Sequence, residues 1–384
     1  MNNSCINYLI RLVKKEAILT IAICMAVVSC FFVHPNKKYI EYIDYRTIVI
    51  LFSLMVVMEA YKRIGVFSYI AEWLLAKSNN ITYIVFVLVA LCFFFSMLIT
   101  NDVALITFVP FSFTVLNRLD NETSAKLFIP IVAMQTVAAN LGSMLTPVGN
   151  PQNLYIYSVG KMEFFNFVHL MAPYSIVGFC ILLISTMFVC RNQGRAEEKI
   201  DSYQVESQME PLKLLLYSVM FLLCLCSVFR MIDYKAVGLV IFVAILLVDK
   251  SVLMKIDYSL LLTFVFFFIF VGNVGKMEWF STKLGGFVDG SEFFLSITIS
   301  QVISNVPAAL LLSDFTNNLE ELIVGLDVAG FGTIIASMAS LISFRQVARE
   351  KDSVKWKYLF KFTVYNIVVL CAMIAVYYIS KNNI

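Results

Sequence analysis

Two Asn-centred turns interrupt long apolar runs. The first is Thr100-Asn101-Asp102, inside FFFSMLITNDVALITFVPF; the second is Ser304-Asn305-Val306-Pro307, inside SITISQVISNVPAALLL. An asparagine side chain offers both a carbonyl acceptor and an amide donor. It can ligate a cation through oxygen, donate to an anion, or cap the helix that follows it. Backbone amides at a helix N-terminus also suit an anion. Asp102 adds a carboxylate, which near a bilayer centre costs about 2.5–3.5 kcal/mol on insertion scales and needs a cation, a proton or donors. It is a candidate for proton coupling, with capping of the helix arm beginning at Val103 as the alternative.

A third polar segment, NLGSMLTPVGNPQN from Asn140 to Asn153, lies between membrane-like runs and carries no charge. Pro147 and Pro151 each remove a backbone donor, and Gly142 and Gly149 tolerate positive φ. A helix cannot run smoothly through such a segment, so carbonyls and amides must find an ion, a ligand or water if it lies at membrane depth. Thr146 and Asn150 join Thr100, Asn101, Asp102, Ser304, Asn305 and Thr333 as candidate substrate ligands. An external loop is the competing reading, and it would lead one to expect charges.

Composition sets the environment. The chain is 60% hydrophobic and 14% charged, with a mean hydropathy of +0.84, whereas soluble domains carry roughly 25% charged residues. The expectation is an all-α polytopic membrane protein. Arg11, Lys14 and Lys15 precede the apolar run 17–33, which is too long for a signal peptide and reads as a first membrane helix. Lys and Arg collect in short loops, which reads as topology rather than nucleic-acid binding. The nine cysteines are scattered and the two histidines, His34 and His169, are far apart, so neither a disulfide framework nor a histidine metal site is expected. No Walker motif, dinucleotide loop or serine elbow is present, so ATP is not the evident energy source and an enzyme is not expected.

Apolar runs place crossings near 16–33, 47–60, 127–153, 164–190, 213–229, 236–249, 259–275, 320–344 and 362–379. The segments 81–117 and 291–317 read as re-entrant hairpins with the polar turns at their tips. The stretch 64–77 reads as an interfacial segment, and Glu59 as an interfacial partner of Lys62 and Arg63. Asp314 and Asp327 are expected near the mouth of the second half. The positive-inside rule puts the N-terminus in the cytoplasm and, after nine crossings, the C-terminus outside.

The pattern also repeats. Asp44-Tyr45 and Asp257-Tyr258 each open an apolar run leading to a polar-tipped hairpin. A helix interrupted at small residues follows, at Ala139–Gly142 in one half and at Ala329-Gly330-Phe331-Gly332 in the other. Opposite starting sides make this an inverted-topology repeat, an architecture of many secondary transporters. The chain then divides into an N-terminal helix and loop (1–43), a first repeat (44–190), a connector with about two helices (191–256) and a second repeat (257–384).

The segments ITNDVALITFVPF, NLGSMLTPVGNPQNLYIY and ISNVPAALLL resemble those of the ion transporter superfamily. That group includes citrate and dicarboxylate symporters, arsenite permeases and a class of sodium/proton antiporters. The similarity runs from about Asp44 to the C-terminus. It implies a scaffold with a moving transport part, an alternating-access cycle of the elevator type, and a homodimer. It also implies one cation site at Asn101, Asn140 and Gly142 and a symmetry mate at Asn305, Gly330 and Gly332, with Na+ as a candidate coupling ion and no other cofactor. The tips depart from the Ser-Asn-Thr of dicarboxylate carriers towards the arsenite-permease branch. The second half reads Ala336-Ser337-Met338-Ala339-Ser340-Leu341 in place of a Thr-Pro-x-Gly run. Four readings stay open: a Na+- or H+-driven carrier of a small anion, a Na+/H+ antiporter, an arsenite efflux permease, and a membrane subunit that transports nothing.

Overall fold

The computed structural model describes residues 16–77, 80–191 and 210–381. The expected stretch of polar connector beyond Arg191, and Arg11, Lys14 and Lys15, lie outside the described residues. The described chain forms seventeen α-helices and is all-α. Four elements, Asn121–Ser143, Phe164–Val189, Pro211–Val228 and Asp352–Lys381, are long and apolar enough to cross a bilayer, and the chain is a polytopic membrane protein.

The order of elements runs twice. Helix α1 (Ala17–Phe32) precedes α2 (Tyr45–Arg63), the short α3 (Val66–Leu75), the hairpin α4 (Ile81–Ser96) and α5 (Asn101–Leu116), the broken pair α6 (Asn121–Ser143) and α7 (Pro151–Val159), and α8 (Phe164–Val189). After α9 (Pro211–Val228) and α10 (Tyr234–Asp249) the sequence resumes. There follow α11 (Tyr258–Val274), the short α12 (Glu278–Val288), the hairpin α13 (Glu292–Ile303) and α14 (Asn305–Leu312), the broken pair α15 (Leu319–Val328) and α16 (Met338–Glu350), and α17 (Lys355–Lys381). Local chemistry sets the starts. Asp44 accepts from the amides of Arg46 and Thr47 at the head of α2, and Asp257 accepts from Leu260 at the head of α11. The repeated Asp-Tyr dipeptide is therefore a pair of equivalent N-caps. Pro151 opens α7, where a missing N–H goes unnoticed.

The first break lies further along than expected. Asn140 and Gly142 are helical, and α6 unwinds only over 144–150. The Gly142 carbonyl accepts from Leu145 N–H at 3.1 Å, in the last turn of the helix rather than at an opening. The physical reason is close packing. A Cβ on Gly142 would sit 1.9 Å from the Phe93 carbonyl oxygen of α4, and one on Gly325 of α15 would sit 2.7 Å from the Phe293 carbonyl oxygen of α13. In each half the helix ahead of the break uses a glycine to press against the first hairpin arm, and the second break, over 329–337, follows directly.

Helices α1, α2, α9, α10 and α11 pack as one group, α1 on α11 and α2 on α9 and α10. Asn273 donates to Ser29 Oγ at 2.9 Å, Tyr61 to Ser218 Oγ at 2.9 Å, and Arg63 pairs with Asp249 at 3.0 Å. The hairpins and broken helices form a second group. Gln135 of α6 donates to the Leu88 carbonyl of α4 at 3.1 Å and to Ser112 Oγ of α5 at 2.8 Å. Thr136 donates to Ser343 Oγ of α16 at 2.7 Å. Such buried polar pairs hold membrane helices where hydrophobic burial does not discriminate. Helix α3 buries Phe67, Ala71 and Leu75 and exposes Tyr69 and Trp73, an amphipathic pattern. Glu59 pairs with Lys62 at 3.5 Å.

Overpacking a tight helix contact typically costs about 1–3 kcal/mol. Gly142→Ala should therefore lower the unfolding temperature in detergent, while Gly285→Ala, with nothing near its new Cβ, should not. Equal stability of the two variants would remove the close approach of α6 on α4 from the account.

Candidate functional site

Each hairpin tip is tied to the broken helix of its own half by one equivalent bond. The Asn101 backbone N–H donates to the Gly149 carbonyl at 3.0 Å, and the Asn305 N–H donates to the Ala336 carbonyl at 3.0 Å. Each asparagine side-chain oxygen accepts the next amide, from Asp102 at 2.9 Å and from Val306 at 3.0 Å. Both asparagines are buried. The tips begin α5 and α14, so two helix N-termini start at the breaks. Ser304 holds φ +73°, a left-handed value that costs a non-glycine residue of order 1–3 kcal/mol and survives where surroundings impose it.

Asn140 joins the halves. Its Oδ1 accepts from Asn101 Nδ2 at 3.1 Å and from Ser337 Oγ at 3.2 Å, and its Nδ2 donates to the Gly330 carbonyl at 3.2 Å. One buried amide thus touches the first tip and both ends of the second break. Ser337 follows Ala336, the residue that holds Asn305, so a continuous polar chain leads from one tip to the other.

The first break meets α15 at a carboxylate. Asn150 caps α7 by accepting from Asn153 N–H at 2.8 Å. Its Nδ2 donates to Asp327 Oδ1 at 3.0 Å, and Gln152 Nε2 donates to the same oxygen at 3.3 Å. Asn153 Nδ2 donates to the carbonyls of Ser143, Met144 and Thr146 at 3.3–3.4 Å. The Thr146 hydroxyl donates to the Met97 carbonyl at the hairpin turn. Asp327 is 4% exposed, and its Oδ2 and Asn153 Oδ1 are buried without a hydrogen-bond partner.

The structure therefore brings together Asn101, Asn140, Thr146, Asn150, Ser304, Asn305 and Gly330 of the candidates read from sequence. Thr100 is half-buried, its carbonyl taken by Ala104 N–H at 3.0 Å. Asp102 is half-buried in the first turn of α5, and its Oδ1 has no partner. Thr333 is exposed and bonded to Gln301. The Gly332 carbonyl accepts from Asn366 Nδ2 of α17 at 3.2 Å. Asp314 is exposed, but Asp327 is not at a mouth: it lies buried against the first break, which corrects the expectation. Ser337, Gln152 and Asn153 were also missed. The signal for Asp327 was available, since it is the one charged residue between Leu322 and Phe344 and stands three residues before Gly330.

Comparison with known proteins identifies the family. The citrate transporter family profile matches residues 8–342, starting ahead of Asp44 and taking in α1. An uncharacterised transporter of Methanocaldococcus jannaschii is 33% identical over 309 residues, covering 79% of this chain and 81% of that one. The inner membrane protein YbiR of Escherichia coli is 29% identical over 366 residues, 94% of each chain. A Dictyostelium discoideum protein named as a transporter, arsB, is 27% identical over 139 residues, 36% of this chain and 24% of that one. The chain is a multi-pass membrane transporter belonging to the citrate transporter family, within the ion transporter superfamily that its three motifs resemble.

Proposed function

We propose that this chain is a secondary active transporter that moves a small anion, a carboxylate or oxyanion, across the cytoplasmic membrane, coupled to Na+ or H+. The observation that carries the reading is the junction itself. Two hairpin tips and two helix breaks, one of each from either half, are linked through Asn140. Helix N-termini at the tips suit an anionic group, and unwound carbonyls suit the coupling cation. The halves have inverted topology, the N-terminus is cytoplasmic and the C-terminus outside. The tip-and-break group moves past α1, α2 and α9–α11 in an elevator-type alternating-access cycle, in a homodimer.

A specific observation favours a second reading, Na+/H+ antiport or arsenite efflux. Two carboxylates, Asp102 and Asp327, each hold a buried oxygen without a donor, and neither is ion-paired among the described residues.

Proteoliposomes with an imposed Na+ or pH gradient separate these readings. Labelled citrate, succinate, sulfate and arsenite are screened alongside an internal pH dye. Anion uptake that follows the gradient is the expected result; a Na+-driven pH change with no anion flux supports antiport instead. Asn101→Ala and Asn305→Ala should each abolish transport in a folded protein, and near-normal transport by both would take the tips out of the site. Asp102→Asn should alter the pH profile of transport before it alters expression; an unchanged profile leaves Asp102 as a helix cap.

A further inference from the structure

We infer that Asp327 is the binding site of a monovalent coupling cation, Na+, held between the two helix breaks; the coupling role rests on the transporter reading above. Both neighbouring amides donate to one oxygen, Oδ1, from Asn150 at 3.0 Å and Gln152 at 3.3 Å. The other oxygen is buried and receives nothing. The Asn153 side-chain Oδ1 is a second buried oxygen without a donor. The carbonyls of Ser143, Met144 and Thr146 cluster on the same Asn153 amide. Oxygens in excess of donors, in an unwound segment, make a cation site.

Among the described residues no cation pairs with Asp327. The helices packed on α15 bring buried titratable groups: Glu292 on α13, Tyr155 and Tyr157 on α7, Tyr174 on α8, and Tyr358 and Tyr377 on α17. Helix α14 brings none. Glu292 is bonded to Thr316 at 2.7 Å, Tyr155 to Ser313 at 2.9 Å, and Tyr377 to Glu321, which also pairs with Lys381 at 2.8 Å. Among the described residues none bonds to Asp327. A carboxylate at depth without a counter-charge is costly, and a bound cation removes that cost.

The placement also gives coupling. The first half contributes neutral amides, from Asn150 and Gln152, and α15 of the second contributes the charge, so the occupant joins the two halves, and its departure leaves the carboxylate uncompensated at their contact. This asymmetry offers a reason for the divergence of the second break from the first.

The test reads binding rather than transport, so its failure is separable from failure of the carrier reading. Purified wild type and Asp327→Asn in nanodiscs are unfolded thermally while Na+ replaces choline at constant ionic strength, at several pH values. If Na+ is the occupant, the wild-type midpoint rises saturably with Na+ and the response is absent in Asp327→Asn. A wild-type midpoint that rises as pH falls without a Na+ response overturns the Na+ assignment. A wild type that responds to neither, or a variant that responds as wild type does, overturns the assignment. Should Asp327→Asn not fold, Asp327→Glu decides: displacing the charge by one methylene should weaken apparent cation affinity about tenfold or more, and unchanged affinity overturns the site.

Discussion

A helix inside a bilayer satisfies its own backbone; a broken helix cannot, and the protein must supply partners at every freed group. This constraint organises the structure. The breaks at 144–150 and 329–337 persist because hairpin tips reach them, Asn101 N–H to the Gly149 carbonyl and Asn305 N–H to the Ala336 carbonyl. Asn140 then satisfies all of its polar atoms across the two halves, with Asn101, Ser337 and Gly330. Removing one partner from such a buried set leaves the others unpaired, at about 1–3 kcal/mol each. The hairpins, the breaks and the polar centre therefore form one unit.

That unit repeats in layout but not in chemistry. Equivalent tip bonds, equivalent Asp caps and equivalent glycine contacts relate the halves. Yet the first break carries Thr146, Asn150, Gln152 and Asn153, whereas the second half brings Ser337 and the carboxylate of Asp327. The group α1, α2 and α9–α11 contributes to the polar centre none of these side chains. It touches the unit through α2 on α7 and α11 on α14.

Much of this was legible in the sequence because membrane physics writes it in large letters. Apolar runs without charge become helices, and polar turns inside them become tips or breaks; the segments around Asn101, Asn305 and Gly330 followed. The first break falls within the segment 140–153 read as unwound, though past the small residues Ala139–Gly142. Gly142 looked like an opening and serves as a contact, because its worth depends on Phe93, far away in the chain. Asp327 was placed near the mouth of the second half. Its hydrogen-bond partners are Asn150 and Gln152 of the other half, a pairing that no local pattern encodes. Thr333, read as a candidate substrate ligand, is exposed and bonded to Gln301.

The bond between Asn140 and Ser337 joins the two halves side chain to side chain within the chain of bonds that links the tips. A double-mutant cycle with Asn140→Ala and Ser337→Ala, read by thermal unfolding, isolates it. The account predicts non-additive effects, with a coupling of about 1 kcal/mol, within the range found for residues sharing one network. Additive effects, as for distant and independent sites, would contradict a junction shared by the two breaks.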